Sequence, residues 1–588
     1  MDNWKDIAER AISLLESCKK LAAIFAPTGF GKTMATPHIL EKAKNCGLAS
    51  RVVHVVPTRS LLRQIYTEKF RNVKNFDVAY QSLDRIPRGL KSPYFLADIV
   101  VTTLESFLLN VYKFPPSELT RVLERVSEGH YYPSFAALSS SVVVLDEAHL
   151  YMGDSEGEDT HALAASAVAA LSEMRIPVIV ETATMPTCLL EEVVDKAGID
   201  RSDVGVVYVC PDSGRGVCPQ VNELRNAGFQ VDVVSAGHFG SGLSWTTRFV
   251  NSLDEAVNEA GRLCRDRLVL FVSNTVCRAI NVYKKLQGIC EAVLLHAKLS
   301  EKDKEDAYTK LTNLRDMCRG VIVASPVIEV GVEVDAEVLI TEPAPMENLA
   351  QRAGRLCRKS GNCRGEVVIV NDTSLSSPYD DSLAKAALNE MRSGLDIEWR
   401  LLWNSASGVT YVKLLENISQ NHRGKYRVAV YEIFKDMVIS DSRPLDIAPE
   451  LAHKFKGFSL VKVYVGDEPK SMKDLEDDHV VLDLSYLRQL MNQECLKTVS
   501  VDGVSKVVTM LLTGSGKVKI VDCESEVLAE AIESKQYRPE LIKGLKRELA
   551  ECASKLGLDY MIDYYVKSKP CCYEKGVGWP CQGSTQCV

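Results

Sequence analysis

The chain has 588 residues, a formal net charge of −8, 46% hydrophobic residues and 25% charged residues, the balance of a water-facing globular protein of about three or four domains. No apolar run approaches the roughly 20 residues of a membrane span, and Met1-Asp2-Asn3-Trp4-Lys5 has neither the basic nor the apolar part of a secretory leader, so a cytoplasmic protein with no membrane partner is expected. The acidic total excludes a protein that coats nucleic acid indiscriminately, while a local basic groove stays compatible with it.

Residues 1–20 set Ile7, Ala11, Ile12, Leu14, Leu15 and Cys18 at helical spacing and predict an amphipathic helix. Short runs rich in Val and Ile follow at Leu21–Ala26, Val52–Val56, Ile99–Thr102, Val142–Leu145 and Val178–Glu181, with helical stretches between most of them. That alternation predicts a parallel sheet with crossover helices. A polar, Gly-containing region at about 211–245 leads to a second series, Leu268–Ser273, Ala292–Leu295, Val321–Ala324, Glu337–Thr341 and Glu366–Val370. Thr373–Pro378, with its Ser residues and Pro, reads as a boundary. Beyond it Tyr426–Ile433, Phe458–Val465 and Val507–Ile520 read as strands, and Glu524–Glu533 and Pro539–Leu556 as helices. The expected organisation is α/β: parallel-sheet domains at 1–210 and 211–375, then a mixed α+β accessory region at 376–588.

The first strand runs into Ala26-Pro27-Thr28-Gly29-Phe30-Gly31-Lys32-Thr33, which opens a helix. Gly29 and Gly31 free the backbone to wrap phosphates, and the helix N-terminus adds its positive end. Lys32 is placed for the β- and γ-phosphates of ATP, and Thr33 for Mg²⁺. Ala26 stands where the general pattern has its first Gly. Thr513-Gly-Ser-Gly-Lys517 is a decoy: Val518 replaces the Ser or Thr, and strands flank it, which predicts a hairpin turn.

Asp146-Glu147-Ala148-His149 ends a wholly apolar strand. Asp146 is a candidate Mg²⁺ ligand, and Glu147 a candidate base for the attacking water. Thr182-Ala183-Thr184 ends the next strand, where its hydroxyls are expected to bond His149 and relay the nucleotide state. In Gln351-Arg-Ala-Gly-Arg-Leu-Cys-Arg358 the arginines Arg352, Arg355 and Arg358 recur at intervals of three and are expected near one helical face. Arg355 and Arg358 are candidate arginine fingers, which contribute roughly 10³–10⁵ in rate in related phosphoryl transfer; Gln351 completes the set.

Most of the 18 cysteines are scattered singly and read as small buried apolar residues. Cys571, Cys572, Cys581 and Cys587 crowd the tail without a CxxC pair, which favours disulfides or free thiols over zinc.

The order of these segments resembles that of superfamily 2 helicases. Arg51-Val-Val-His-Val-Val-Pro-Thr-Arg59 resembles motif Ia, Val100-Val-Thr-Thr103 motif Ib, Ser273-Asn274 motif IV and Ser325 through Asp335 motif V. The phosphate loop, Asp146–His149, Thr182–Thr184 and Gln351–Arg358 match motifs I, II, III and VI. Within that superfamily the chain is most similar to the CRISPR-associated helicase of type I interference. Tyr151 just after the DEAH box, Thr182-Ala-Thr-Met-Pro186, Ile328 through Asp335, and Ile340-Thr-Glu-Pro-Ala-Pro345 carry that likeness; Tyr573 to Gly578 resembles the family's terminal Tyr-then-Gly signature. The resemblance covers about residues 20–372. Glu333 departs from a common Asp, and Ser325-Pro326 from a Thr-Gln pair.

The resemblance implies two tandem RecA-like domains with ATP·Mg²⁺ between them. It implies a single-stranded DNA path over Thr58, Arg59, Thr103, Ser273 and Asn274, read by backbone rather than sequence. It also implies 3′-to-5′ movement after recruitment by a guide-RNA effector complex that has opened an R-loop. No His-Asp dipeptide occurs, and only His422, His453 and His479 lie in the last third. The expectation is therefore a chain without an HD nuclease site, with cleavage assigned to a separate HD nuclease subunit as in archaeal type I-A systems. Another RNA or DNA-repair helicase, or a nucleotide-dependent switch that does not unwind, are the rival readings.

Overall fold

The computed structural model describes residues 3–71, 73–82, 86, 89–118, 129–152, 158–212, 217–358, 363–392, 396–405, 408–439, 460–501, 504–514, 518–534, 539–556 and 561–579. Among them, the first series of apolar runs forms β1 Leu21–Phe25, β2 Arg51–Val56, β3 Val78–Gln81, β4 Ile99–Thr103, β5 Ser141–Leu145, β6 Val178–Thr182, β7 Val204–Cys210 and β8 Gln230–Ser235. They pair in parallel in the order β3-β4-β2-β5-β6-β1-β7-β8. β1, β4, β5 and β6 have no exposed residue, as expected for parallel strands covered on both faces.

This sheet does not end at 210. Strand β7 pairs with β1, the helix Pro219–Asn226 crosses over, and β8 adds the edge. The domain boundary therefore falls after Ser235. The polar look of 211–245 is that of a crossover and an edge strand half open to solvent.

The second parallel sheet contains β9 Leu243–Val250, β10 Leu268–Val272, β11 Ala292–Leu295, β12 Gly320–Ala324, β13 Val338–Thr341 and β14 Cys363–Val370, ordered β11-β12-β10-β13-β14-β9. Strand β9 carries few buried side chains, so its composition does not announce it.

The chain after 375 behaves as two parts. Asp381–Met391, the short pair β15 Ile397–Glu398 and β16 Val409–Thr410, and helices Tyr411–Asn421 and Glu432–Ile439 pack against the parallel-sheet core. Tyr411 donates to Ala183 O at 2.7 Å, and Glu416 Oε1 accepts from Thr187 N, Thr187 Oγ1 and Gln220 Nε2 at 2.8–2.9 Å. The predicted strand Tyr426–Ile433 is absent. Tyr426 and Val428 are buried one by one against that core, and a helix starts at Glu432.

The second part is a mixed sheet of β17 Leu460–Tyr464, β18 His479–Asp483, β19 Thr498–Val501, β20 Val504–Gly514, β21 Val518–Ser525 and β22 Met561–Lys567, with its own core around Val463, Leu487, Leu511, Leu528 and Leu549. Gly514 pairs with Val518 across antiparallel strands, so the Gly-rich decoy lies at a hairpin; residues 515–517 themselves lie outside the described residues. The Tyr573–Gly578 segment docks on the second parallel sheet's domain. Tyr573 donates to Asp303 Oδ2 at 2.7 Å and accepts from Ser300 N at 2.6 Å, and His296 Nε2 lies 2.8 Å from Val577 O.

The reading of the cysteines as scattered apolar residues is corrected. Cys210–Cys218, Cys264–Cys290, Cys357–Cys363, Cys495–Cys572 and Cys523–Cys552 are disulfides. Cys571 is also disulfide-bonded. Cys581 and Cys587 lie outside the described residues.

Candidate nucleotide site and interdomain cleft

Between β1 and the helix Lys32–Asn45 the loop turns through Gly29 and Gly31, both at positive φ (83° and 109°). A side chain at Gly31 would press on the Trp4 ring 3.3 Å away, so glycine is required there twice over. Lys32 is buried, and its Nζ donates to Ala26 O at 3.0 Å, which holds the ammonium over the loop. Thr33 follows on the first turn of the helix, with Pro27, Thr28 and Phe30 completing the loop.

Strand β5 delivers Asp146 and Glu147 to the same end of the sheet as the loop. Asp146 is buried; burial alone would raise its pKa, but His54 and the Lys32 charge outweigh it and keep the carboxyl below its ordinary value. His54 Nε2 stands 3.5 Å from Asp146 Oδ2, while His54 Nδ1 bonds Thr36 Oγ1 at 3.0 Å. His54 escaped the sequence reading because it interrupts an apolar strand with nothing nearby in sequence to pair with. The Asp146 carboxylate and the Thr33 hydroxyl on the first turn of the helix are oxygen donors of the kind that suits a hard divalent cation such as Mg²⁺.

Glu147 differs from its neighbour. Burial pushes its carboxyl up, Asp146 adds to this, and Lys32 opposes it. A carboxylate raised towards neutrality is a better proton acceptor near pH 7. Its left-handed backbone (φ 49°) turns the side chain into the cleft, a conformation that costs a non-glycine residue about 1–2 kcal/mol and is typical of functional turns.

His149 Nδ1 lies 3.1 Å from Thr182 Oγ1. That hydroxyl already accepts from Thr184 N and Met185 N at 3.1 Å each, so its single proton goes to Nδ1 and the imidazole proton sits on Nε2. Burial holds His149 down to about 3, so the ring is neutral. Glu181, one residue before Thr182, is fully buried with neither carboxylate oxygen paired among the described residues, and burial raises it well above its ordinary value. Its place inside an apolar strand gave no sign of this.

The second sheet's domain contributes the other wall. The helix Met346–Ala353 ends at Gly354, so the arginines do not share one helical face as expected. Gln351 Nε2 reaches across to Thr184 Oγ1 at 3.3 Å and Glu147 Oε2 at 3.4 Å. Arg352 turns inward and is fully buried, donating to Glu329 Oε1 at 2.8 Å, Thr341 Oγ1 at 2.7 Å and Asn274 Oδ1 at 2.8 Å. Arg355 donates to Val332 O at 3.1 Å and to Glu329 O, and burial together with Arg358 brings it down to about 9. Arg358 donates its backbone N–H to Asp335 Oδ1 at 2.7 Å; burial lowers its side chain, which faces the charges of Glu333, Asp335 and Glu147. Beside the Gln351–Thr184 contact a cavity of about 280 Å³ opens, lined by His149, Thr184, Glu347 and Gln351 among others.

The five expected DNA contacts separate. Thr58 is half-buried and caps the helix Arg59–Gln64 through Leu61 N at 3.2 Å; Arg59 beside it is half-buried. Thr103 is 3% exposed and caps Leu104–Val111. Ser273 and Asn274 are corrected: both are buried, and Asn274 spends its amide on Pro343 O, Leu375 O and Arg352. Asn274 braces the second domain from inside. Glu329, which sequence reasoning did not single out, is the acid that holds Arg352.

The DEAD/DEAH box helicase family model matches residues 5–193, and the C-terminal model of the CRISPR-associated nuclease/helicase Cas3 matches residues 265–361. The CRISPR-associated helicase Cas3 of Thermoproteus tenax is 25% identical over 406 residues, covering 66% of this chain and 62% of its own. The CRISPR-associated nuclease/helicase Cas3 of Methanothermobacter thermautotrophicus is 24% identical over 421 residues, 67% of this chain and 46% of its own. In fold, the chain resembles the crystal structure of T. fusca Cas3 with AMPPNP, with a TM-score of 0.56 at 16% identity over 84% of this chain and 65% of that one. The chain thus spans about six-tenths of the Thermoproteus relative and under half of the Methanothermobacter one.

Proposed function

We propose that this chain is a Cas3-like member of the DEAD/DEAH-box helicases, and an ATP-driven motor that moves 3′ to 5′ along single-stranded DNA. Its place is in CRISPR interference, recruited to a guide-RNA effector complex, with cleavage carried out by a separate HD nuclease subunit. The observation that carries the motor reading is the Gln351–Glu147 contact. It joins the proposed catalytic Glu147 of one parallel-sheet domain to the other domain, which supports a reading in which hydrolysis and domain movement are linked.

In this reading the loop amides from Thr28 to Thr33 and the Lys32 ammonium bind the phosphates of ATP. Thr33 and Asp146 hold Mg²⁺, which supplies charge neutralisation on the phosphates. Glu147 takes a proton from the attacking water at its carboxylate, and Gln351 orients that water. Arg355 and Arg358 stabilise charge on the transferred phosphoryl group. Thr182 fixes the His149 tautomer, and Thr184 bonds Gln351, so both threonines tie the hydrolytic acid to the domain interface. Thr58 and Arg59 remain the candidate DNA contacts; Thr103 is as buried as Asn274 and serves as a helix cap.

The test is ATP hydrolysis with no nucleic acid, single-stranded DNA or single-stranded RNA, beside a Lys32→Ala control, followed by unwinding of duplexes with 3′ or 5′ overhangs. DNA stimulation lost in the control, with unwinding only from the 3′ overhang, is expected. Stimulation by RNA alone would replace the reading with an RNA helicase, and indifference to both with a nucleotide-dependent switch.

A further inference from the structure

Arg400 lies outside both parallel sheets, in the segment that follows β15. It is 7% exposed. A buried guanidinium ordinarily has a carboxylate partner, as Arg352 has in Glu329 at 2.8 Å. Arg400 has none at bonding distance among the described residues. Its side chain donates instead to two backbone carbonyls, Cys357 O and, at 3.3 Å, Arg358 O, and its Nε–H is buried without a partner.

Its direction is informative. Arg400 Nη2 stands 3.4 Å from where a Cβ on Gly29 would be, so the guanidinium faces the phosphate loop. The Phe239 ring lies 5.0 Å from the guanidinium carbon, and Phe239 packs edge-on against Phe30 of the loop at 5.2 Å. Stacking of this kind fixes the plane of an arginine while leaving its edge N–H groups free to donate. The charge of Arg358 falls on the same group. Asp335 and Glu398 favour the charged form of Arg400 from a distance, but among the described residues neither forms an ion pair with it, so a buried guanidinium faces the phosphate loop with no bonded anion, an arrangement that costs free energy unless an anionic ligand completes it.

We propose that Arg400 is a further phosphate-binding cation of the nucleotide site. It is supplied by the segment that ties the two domains together, and it contacts the β- and γ-phosphate end of ATP beside Gly29. The proposal rests on the nucleotide reading above. By bonding Cys357 O and Arg358 O it also sets the backbone that carries the Arg358 finger.

The test is titration of a fluorescent, non-hydrolysable ATP analogue into the full chain, comparing wild type, Lys32→Ala, Arg400→Gln and Arg400→Lys, each checked for thermal unfolding. Loss of one charge-assisted contact is expected to weaken the analogue about tenfold in Arg400→Gln, with Arg400→Lys recovering most of it. A folded Arg400→Gln that binds like wild type, while Lys32→Ala does not bind, overturns the proposal and leaves the nucleotide reading standing. Failure of the wild type to bind sinks the nucleotide reading and the proposal with it. Hydrogen exchange of the wild-type segment 396–404 supplies a measurement that needs no variant: slower exchange with the analogue bound is expected, and unchanged exchange overturns the proposal.

Discussion

Gln351 Nε2 sits 3.4 Å from Glu147 Oε2 and 3.3 Å from Thr184 Oγ1, so one buried amide from the second domain touches both the DEAH turn and the loop after β6. Gln351→Ala removes that bridge and leaves the phosphate loop intact. The expected result is a fall in kcat of roughly 10²-fold, with affinity for a non-hydrolysable ATP analogue within about threefold of wild type. Steady-state hydrolysis and analogue titration check the two halves; equal loss in both would place Gln351 in binding instead.

Glu147 is raised by burial and by Asp146 against the opposing charge of Lys32. A base must be deprotonated to act, so kcat is expected to fall as pH drops through this raised value. The acid limb should therefore lie above the ordinary Glu range. Glu147→Gln should lower kcat by about 10²–10⁴-fold and flatten that limb, as read from a pH–kcat profile of both proteins.

Arg352 and Glu329 form an ion pair with 0% and 6% side-chain exposure. Removing one partner strands a buried charge, which costs about 3–5 kcal/mol. Glu329→Gln should therefore unfold at markedly lower urea concentration than wild type, without any change in surface charge at the cleft. A midpoint within error of wild type would mean that Thr341 and Asn274 suffice to hold Arg352.

Gly331 has φ 77°, and a Cβ there would lie 2.7 Å from Leu61 N. This is backbone of the second domain against the helix that follows β2, so nothing flexible can yield. Gly331→Ala is expected to cost about 1–2 kcal/mol from the left-handed backbone and to wedge the domains apart. Hydrolysis should drop while circular dichroism stays that of the folded chain.

Glu416 is 2% exposed and accepts three hydrogen bonds on one oxygen, and burial raises it to about 7. Its folded pKa is above its unfolded one, so the folded state binds the proton more tightly. The stability it adds is full below the unfolded value near 4.5 and is lost as pH rises through about 7. Wild type should therefore lose Tm progressively between about pH 4.5 and pH 7, with little further loss from this group above that. Glu416→Gln, the neutral isostere, should lose less; parallel melting curves decide.

The parallel-sheet architecture was legible because buried parallel strands must be short, continuous and apolar, and ten such runs appear in the expected places. The phosphate loop and the DEAH turn were legible because their chemistry demands particular residues at fixed spacing within one turn of chain. Strands β3, β8 and β9 were hidden at sheet edges, where the demand for apolar residues relaxes, whereas β7, buried between β1 and β8, was missed although its run is apolar. The arginine spacing misled, since Gly354 ends the helix and sends Arg352 inward while Arg355 and Arg358 leave it. Asn274 was misplaced because its sequence context cannot reveal that Arg352 occupies its carbonyl.

By itself the sequence determined the local elements: which runs become strands, where the loop can wrap phosphate, and which acids end β5. Only the tertiary structure decided the pairings between distant positions, Gln351 with Glu147, Arg352 with Glu329, Glu416 with Thr187, and Arg400 with the loop at Gly29. These contacts join residues far apart in the chain, and their energies depend on burial and direction, which arise only when the two sheets and the segment after residue 375 close around one cleft.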